Sequence, residues 1–278
     1  MTRSAVFAVV ALLITNFPAL ALTDAVPRVL IAGDSTASSY PASRAPQTGW
    51  GQVLAYYLDR DVVVLNRAVS GRSTKSFIDE GKWEALLGEV RAGDIVLISF
   101  GHNDSRDDAP ARYTRPDREF RDNLVRFARD VSTRGAVPVI LSPVARRLWE
   151  GPAMVETHGL YALNANLAAD EAPAAFIDLA NLSIAYFETL GHEGTKEDFL
   201  WLSPADANAR FPDGVEDNTH FTALGACGVA RTIAVALSDI PQLAMVVNPE
   251  RIGEDAEPGS EMRPAAVTAC AGAAHWGE

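Results

Sequence analysis

The sequence predicts an α/β protein with one parallel β-sheet covered by helices on both faces, a three-layer α/β/α sandwich. Two observations predict this fold. Five short runs rich in β-branched and other apolar residues recur along the chain, and segments with apolar residues at three- and four-residue spacing separate them. Because parallel strands need a crossover connection, such alternation is typical of a five-stranded parallel sheet between two helical layers.

The predicted strands are apolar throughout, as expected for strands buried on both faces. They are RVLIAG (28–33), DVVVLN (61–66), DIVLISFG (94–101), AVPVILS (136–142) and AAFIDL (174–179). Five helical patterns lie between or after them: GQVLAYYLDR, KWEALLGEVR, DREFRDNLVRFARDVSTRG, GLYALNANLAADEA and TALGACGVARTIAVALSDI. The last of these helices closes the domain.

The two ends of the chain differ from this core. Residues 1–21 contain one basic residue, an apolar run and an A-x-A sequence ending at Ala21, which predicts a secretory signal peptide cut after that alanine. An uncleaved membrane anchor is disfavoured, because a spanning helix needs roughly 20 consecutive apolar residues. We therefore predict one domain over 22–247, a loosely ordered acidic Pro- and Gly-rich tail over 248–278, and a secreted or periplasmic location.

The net charge limits the kinds of binding partner, and the cysteine content bears on possible disulfide formation. The formal net charge of −12 disfavours binding to nucleic acid or anionic membranes, so we predict no nucleic-acid partner and, after signal cleavage, no membrane partner. An acidic substrate must then be held by local basic residues. Cys227 and Cys270 form either one disulfide or two separate thiols in an exported protein.

Polar stretches follow the predicted strands at the edge where open α/β sheets bind ligands. GDSTAS, NRAVSGRST and GHNDS follow the first three strands, and DNTHFTALGA leads into the last helix. Ser35 has a hydroxyl that needs a base to activate it, His220 is a base suited to neutral pH, and Asp217 can orient the imidazole. We place Asp217 and His220 in a turn entering a helix, where their i, i+3 spacing predicts contact.

A tetrahedral oxyanion needs hydrogen-bond donors in place before the reaction. The predicted donors are the backbone N–H of Ser35, at the start of a helix, the backbone N–H of Gly71 and the side-chain amide of Asn103. Glycine lets its N–H approach a ligand closely because it has no side chain. Gly-Asp-Ser alone is more typical of a helix N-cap, and only the joint order of the four stretches favours catalysis.

GDS, Gly71 in SGRS, Asn103 in GHND and DNTH resemble the four blocks of the SGNH (GDSL) hydrolase superfamily. Within it, GDSTAS, GWGQ, NRAVSGRSTKSF, GHND, SPVARR and THGLY are similar to rhamnogalacturonan acetylesterases, secreted pectin deacetylases with a flavodoxin-like fold. The resemblance implies Ser35 as nucleophile, Asp217 and His220 as its triad partners, and an SGNH catalytic domain over most of the mature chain. It also implies an acetylated polysaccharide or oligosaccharide substrate, and no metal or organic cofactor.

The sequence specifies the substrate contacts less well. Four cations near the predicted site are candidates for holding a galacturonate carboxylate, with solvated surface charge as the alternative: Arg72, Lys75, Arg146 and Arg147. Trp50 and Trp201 are candidates for stacking on sugar rings, although GWG is equally typical of a packed corner. The loop 189–214 and the cysteine-containing tail do not follow the family.

Two other functions remain open on the sequence, and a third is disfavoured. A different esterase of the same fold, acting on acetylated xylan, another carbohydrate or a lipid, would use the same triad, and the polar loops disfavour only the lipase. A non-catalytic carbohydrate-binding protein would not need an intact triad. A calcineurin-type phosphoesterase needs an Asp-x-His pair after the first strand and a Gly-Asn-His-Asp/Glu block, and this chain has neither, so we predict no metal site.

Overall fold

A central parallel sheet organises the chain, whose residues 27–253 and 263–274 are described by a computed structural model. The signal peptide predicted over 1–21 lies outside the described residues. The strands are β1 (Arg28–Gly33), β2 (Val63–Asn66), β3 (Ile95–Ser99), β4 (Val137–Leu141), β5 (Trp149–Glu150), β6 (Ala153–Met154), β7 (Ala175–Ile177), β8 (Phe199–Leu202) and β9 (Val215–Phe221). The α-helices are α1 (Trp50–Val53), α2 (Thr74–Asp79), α3 (Lys82–Glu89), α4 (Arg121–Ser132), α5 (Leu160–Glu171), α6 (Leu179–Gly194), α7 (Ala223–Ser238), α8 (Pro249–Ile252) and α9 (Ala265–Ala273).

The order of the strands determines where a ligand can bind. The five-stranded sheet runs β2-β1-β3-β4-β7, and all its strands are parallel, as predicted. The chain leaves β1 for β2 on one side and returns to pair β3 with the other side of β1. This reversal opens a crevice at the carboxyl ends of β1 and β3, where open α/β sheets bind their ligands.

Alternate residues of each strand pack into opposite helical layers. Val29 and Ile31 of β1 pack with α1, α6 and α7, whereas Leu30 and Ala32 pack with α3, α4 and α5. All four side chains are fully buried, which explains why the strand is an uninterrupted apolar run. The predicted three-layer α/β/α sandwich is confirmed. No helix among the described residues is long and apolar enough to cross a bilayer.

The predicted helices are present, two of them in irregular form. The segment 51–60 forms one turn of α-helix, α1, and then a 3-10 turn over Leu54–Tyr57. The segment 117–135 starts with a π-helical turn over Pro116–Phe120 before α4 begins. Helix α6 is not among the predicted helices, although Asp178 caps it by accepting a hydrogen bond from the Asn181 N–H.

Residues 263–274, which belong to the tail predicted over 248–278, are packed against the domain and not loosely ordered as their composition predicts. The guanidinium of Arg263 binds the fully buried carboxylate of Asp198, and α9 follows directly. Val267 and Cys270 of α9 are buried against the core, and Cys270 forms a disulfide with Cys227 of α7. A buried ion pair and a covalent bond therefore order a segment whose composition resembles that of a linker.

We expect the double variant Cys227→Ala/Cys270→Ala to lose about 2–4 kcal/mol of unfolding free energy, because the disulfide restricts the unfolded chain. Urea denaturation of the oxidised protein and of the variant would measure the loss. Reduced wild-type protein is the matched control and should unfold with the variant. Equal midpoints for oxidised protein and variant would contradict a stabilising role.

Candidate active site

Ser35 lies in a tight turn that follows β1 at the edge where the strand order reverses. Asp34 closes this turn, because its carboxylate accepts hydrogen bonds from the Thr36 N–H at 2.9 Å and the Thr36 hydroxyl at 2.8 Å. The Asp34 carbonyl accepts from the Ser38 N–H at 3.1 Å. No helix begins at Ser35, contrary to the prediction, because these local side-chain bonds fold the backbone into a turn instead.

The Ser35 turn packs against the start of α1. The Trp50 N–H donates to the Thr36 carbonyl at 2.9 Å. A Cβ on Gly49 or Gly51 would collide with backbone atoms of the turn, so only glycine allows the two segments to approach this closely. Trp50 is fully buried, and it is therefore part of a packed corner and not the sugar-stacking residue considered from the sequence.

His220 connects Ser35 to Asp217, as predicted. Its Nε2 lies 2.9 Å from Ser35 Oγ, and its Nδ1 lies 2.7 Å from Asp217 Oδ2. An ionised carboxylate only accepts hydrogen bonds, so Nδ1 carries the proton and Nε2 can accept one from the serine. The side chains of His220 and Asp217 are each 28% exposed, which leaves the pair open to a substrate.

A bulge in β9 makes the contact between Asp217 and His220 possible. Consecutive residues of β8 pair with Asp217 and with Phe221, so residues 218–220 have no partners on β8. In a regular strand, residues three apart point to opposite faces and lie roughly 10 Å apart. Here the chain turns back instead, and Asp217 Oδ1 accepts from the N–H groups of Thr219 and His220 at 2.7 and 3.0 Å. The predicted turn entering a helix is therefore wrong, since the pair lies in a bulged strand.

The Asp217 carboxyl is ionised in this setting. Burial raises its pKa, but the hydrogen bond and charge of His220, together with the N–H groups of His220 and Thr219, outweigh burial and bring the pKa below its ordinary value. A carboxylate that stays charged can stabilise the imidazolium that forms when His220 takes a proton.

The bulge is held in place by the loop after β4 and by β8, a feature that the sequence does not indicate. The Asn218 carbonyl accepts from the Arg147 N–H at 2.8 Å, and its side-chain oxygen accepts from Trp201 Nε1 at 2.9 Å. The Arg147 side chain is buried, lies 4.5 Å from the Trp201 ring centroid and donates to the His192 carbonyl. Arg147 is therefore a structural residue and not the predicted carboxylate ligand. Trp201 also packs against Lys196, at 5.0 Å.

The predicted oxyanion donors lie on loops after β1, β2 and β3. Asn103 Nδ2 donates one hydrogen bond to the carbonyl of Arg72, the residue after Gly71, at 3.1 Å. Gly71 has a φ of +79°, which favours glycine. Within the described ranges, no acceptor binds the backbone N–H of Gly71 or of Ser35. These two N–H groups and the second Asn103 N–H are available to a ligand.

Two buried imidazoles support the loop that carries Asn103. His102 Nδ1 lies 3.3 Å from His158 Nε2, and the two residues are only 6% and 4% exposed. Burial lowers the pKa of both rings, that of His102 well below its ordinary value. Both rings are therefore neutral and pack edge to face beneath the loop.

The remaining three predicted carboxylate ligands differ in their surroundings. Arg72 and Lys75 already form ion pairs, with Glu80 at 3.0 Å and Asp79 at 3.5 Å. Arg146 is half-buried, donates to a backbone carbonyl at 3.4 Å and has no carboxylate partner in the part of the chain that is described. Arg147 also has no carboxylate partner among the described residues, but its side chain is buried against Trp201 and the His192 carbonyl. Of the four sequence candidates, Arg146 is therefore the one whose charge is neither paired nor held in such a structural contact.

The acidic residues of the GD and GHND stretches form hydrogen bonds within the protein. Asp34 closes the Ser35 turn, and Asp104 accepts hydrogen bonds from the hydroxyls of Thr74 and Thr114. Over residues 27–253 and 263–274, no three His, Cys, Asp or Glu side chains form a cluster that could hold a metal ion.

Known sequences share these blocks. The model of the GDSL-like lipase/acylhydrolase family matches residues 31–226. Rhamnogalacturonan acetylesterase RhgT of Bacillus subtilis (strain 168) is 37% identical over 214 residues, which are 77% of this chain and 90% of that protein. The rhamnogalacturonan acetylesterase of Emericella nidulans is 28% identical, over 76% of this chain and 88% of that protein.

Solved structures share the fold. The Bacillus subtilis protein YxiM superposes with a TM-score of 0.65 and 26% identity, over 77% of this chain and 57% of that one. An acetylxylan esterase from Geobacillus stearothermophilus superposes with a TM-score of 0.50 and 18% identity, over 75% and 93% of the two chains, a likeness of fold alone. The family match spans every stretch from Ser35 to His220. The chain therefore belongs to the GDSL-like lipase/acylhydrolase family and is a carboxylic ester hydrolase.

Proposed function

We propose that this protein is a secreted esterase that removes acetyl groups from plant cell-wall polysaccharide, with rhamnogalacturonan as its substrate. The observation that carries the proposal is the hydrogen-bonded series Asp217–His220–Ser35 at the edge of the sheet. The choice of substrate is supported by 37% identity to a protein named for this activity, over nine-tenths of its length.

Acylation uses the three side chains together. His220 Nε2 accepts the proton of Ser35, and the serine oxygen attacks the carbonyl carbon of the acetyl ester. Asp217 stabilises the imidazolium that results. When the tetrahedral intermediate collapses, the bond from the carbonyl carbon to the sugar oxygen breaks, and His220 returns its proton to that oxygen. The products of this step are acetyl-Ser35 and a free sugar hydroxyl.

In the tetrahedral intermediate, the N–H groups of Ser35, Gly71 and Asn103 stabilise the negative charge on the acetyl oxygen by donating hydrogen bonds to it. These donors are positioned before the reaction, since Asp34 holds the Ser35 turn and the Arg72 carbonyl holds the Asn103 amide. Donors that need no reorganisation contribute most to lowering such a barrier.

Deacylation repeats the sequence with water. His220 takes a proton from a water molecule, whose oxygen attacks the acetyl-Ser35 carbonyl. Collapse of the second intermediate releases acetate and returns the proton to Ser35.

Export is supported by two observations. The predicted signal peptide over 1–21 would direct the chain out of the cytosol. The Cys227–Cys270 disulfide is of the kind that persists in oxidising compartments.

We expect wild-type protein to release acetate from acetylated rhamnogalacturonan and Ser35→Ala to lose at least roughly 1,000-fold in kcat, because no other group can form the acyl-enzyme. Acetate release from purified protein would measure both. Acetylated xylan and a long-chain ester, assayed beside it, test the alternative esterases. Ser35-dependent release from xylan but not from rhamnogalacturonan would keep the mechanism and overturn the substrate.

We expect Asn103→Ala to lower kcat by roughly 100- to 1,000-fold with a smaller change in KM, because the lost donor acts mainly on the oxyanion. Asn181→Ala, at the N-terminus of α6, is a control amide removal away from the site. Initial rates with p-nitrophenyl acetate would measure the effect. A loss confined to KM would contradict an oxyanion role for Asn103.

We expect kcat/KM to fall as the pH is lowered, because protonated His220 cannot accept the Ser35 proton. The pKa of Asp217 lies below its ordinary value, so this carboxylate stays ionised on the acid side until the pH falls through that lowered value. The stabilisation linked to Asp217 is complete above the ordinary pKa of an aspartate and is lost as the pH falls from there through the lowered pKa of Asp217. Rates with p-nitrophenyl acetate that remain flat down to about pH 4 would contradict His220 as the base.

A further inference from the structure

The loop of residues 104–114 crosses from the end of β3 to the Gly71 loop after β2. Asp104 fixes its start by accepting hydrogen bonds from the Thr74 N–H and hydroxyl, at 3.1 and 2.5 Å. The Tyr161 hydroxyl fixes its end by donating to the Thr114 carbonyl at 2.6 Å. Lys75 Nζ donates to the carbonyls of residues 110 and 111, at 3.4 and 3.5 Å. The loop therefore has a defined path over the Gly71 loop, although its surface is exposed.

This path places the guanidinium of Arg112 over Gly71. Measured from the point that a Cβ on Gly71 would occupy, Arg112 Nη1, Cζ and Nη2 lie at 3.7, 3.9 and 3.9 Å. Nearly equal distances to the three atoms mean that the flat face of the guanidinium covers Gly71. The N–H groups of the fork then point outward along the edge of the plane, in the arrangement that binds a carboxylate with two hydrogen bonds.

Arg112 is exposed and unpaired, unlike its neighbours. Arg106 binds Asp108 through two hydrogen bonds of 2.8 Å, and Arg115 binds Glu119 through bonds of 3.1 and 2.7 Å. Among the described residues, no carboxylate lies within ion-pair distance of Arg112, and the nearby Asp108 is already occupied by Arg106. In a chain with a net charge of −12, an unpaired arginine beside the reaction centre is available to an anionic ligand.

We propose that Arg112 binds the carboxylate of a galacturonate unit of the substrate and thereby selects acidic polysaccharide. This inference rests on the proposed function, because rhamnogalacturonan carries a carboxylate on each galacturonate. Arg112 lies over Gly71, whose N–H is one of the proposed oxyanion donors, so a carboxylate bound to Arg112 would lie close to the reacting ester. The sequence analysis considered Arg72, Lys75, Arg146 and Arg147 for this role and did not include Arg112.

The experiment measures inhibition, so it does not depend on deacetylation of the polysaccharide. Hydrolysis of p-nitrophenyl acetate is followed with deacetylated rhamnogalacturonan oligosaccharides as inhibitors, once with free carboxylates and once as methyl esters. The proteins compared are wild type, Arg112→Gln, Arg112→Lys and Arg60→Gln. Arg60 is the matched control, since it precedes β2 at the opposite edge of the sheet, and its side chain is 90% exposed.

For wild type and Arg60→Gln, the free-acid oligosaccharide should inhibit roughly tenfold or more strongly than its methyl ester. Arg112→Gln should lose most of this ratio, and Arg112→Lys should retain part of it, because lysine keeps the charge without the planar fork. An equal ratio in wild type and Arg112→Gln, or no difference between the two inhibitors with wild type, would overturn the proposal. An Arg112-dependent ratio without acetate release from acetylated rhamnogalacturonan would keep the carboxylate site and overturn the proposed substrate reaction.

Discussion

The bulge at residues 218–220 of β9 is the constraint on which the hydrogen-bonded series Asp217–His220–Ser35 depends. It shortens the path between Asp217 and His220, so that a carboxylate and an imidazole three residues apart meet on one side of a strand. The Asp217 carboxylate has two functions there, since one oxygen binds the His220 ring and the other binds the backbone of the bulge. Loss of the carboxylate would therefore disturb both the tautomer of His220 and the fold of the segment that carries it.

The bulge is rigid because residues outside the hairpin hold it. Asn218, between Asp217 and His220, is hydrogen-bonded to the backbone of Arg147 and to the indole of Trp201. Arg147 is in turn bonded to the His192 carbonyl at the end of α6, so the position of His220 is linked to the helical layer. Arg147 thus fixes the position of a loop and does not bind substrate. The sequence shows only that a positive charge is present, so it could not distinguish these two roles.

The sequence predicts much of the fold and of the catalytic set, for identifiable reasons. Strands such as β1 and β3 are buried on both faces, so their apolar runs are visible without any tertiary information. The sequence analysis predicts the contact of Asp217 with His220 from a turn entering a helix, whereas the backbone that achieves the contact is a bulge in a strand. Their role as a triad with Ser35 stays a proposal until the variants are tested.

What the sequence could not predict depends on distant contacts. The pairing of Cys227 with Cys270 depends on a distance between α7 and α9 that composition does not encode. The buried partner of Arg263, which orders the C-terminal segment, is 65 residues away. The sequence around Arg112 does not indicate that this residue lies near Gly71 either, because only the path of residues 104–114 brings the two together.

Gly71 is the residue at which the proposed oxyanion site and the proposed carboxylate site meet. Its positive φ orients the backbone, and its N–H is unoccupied and available to an acetyl oxygen. The Arg112 guanidinium lies at ordinary contact distance from the point that a Cβ on Gly71 would occupy, so a side chain longer than a methyl group would displace the arginine. A substrate bound through both groups must present an ester and a carboxylate at one fixed separation. The position of the acetyl group on the sugar would then be selected by the fixed distance between the Gly71 N–H and the Arg112 guanidinium. No deep pocket would be needed for this selectivity.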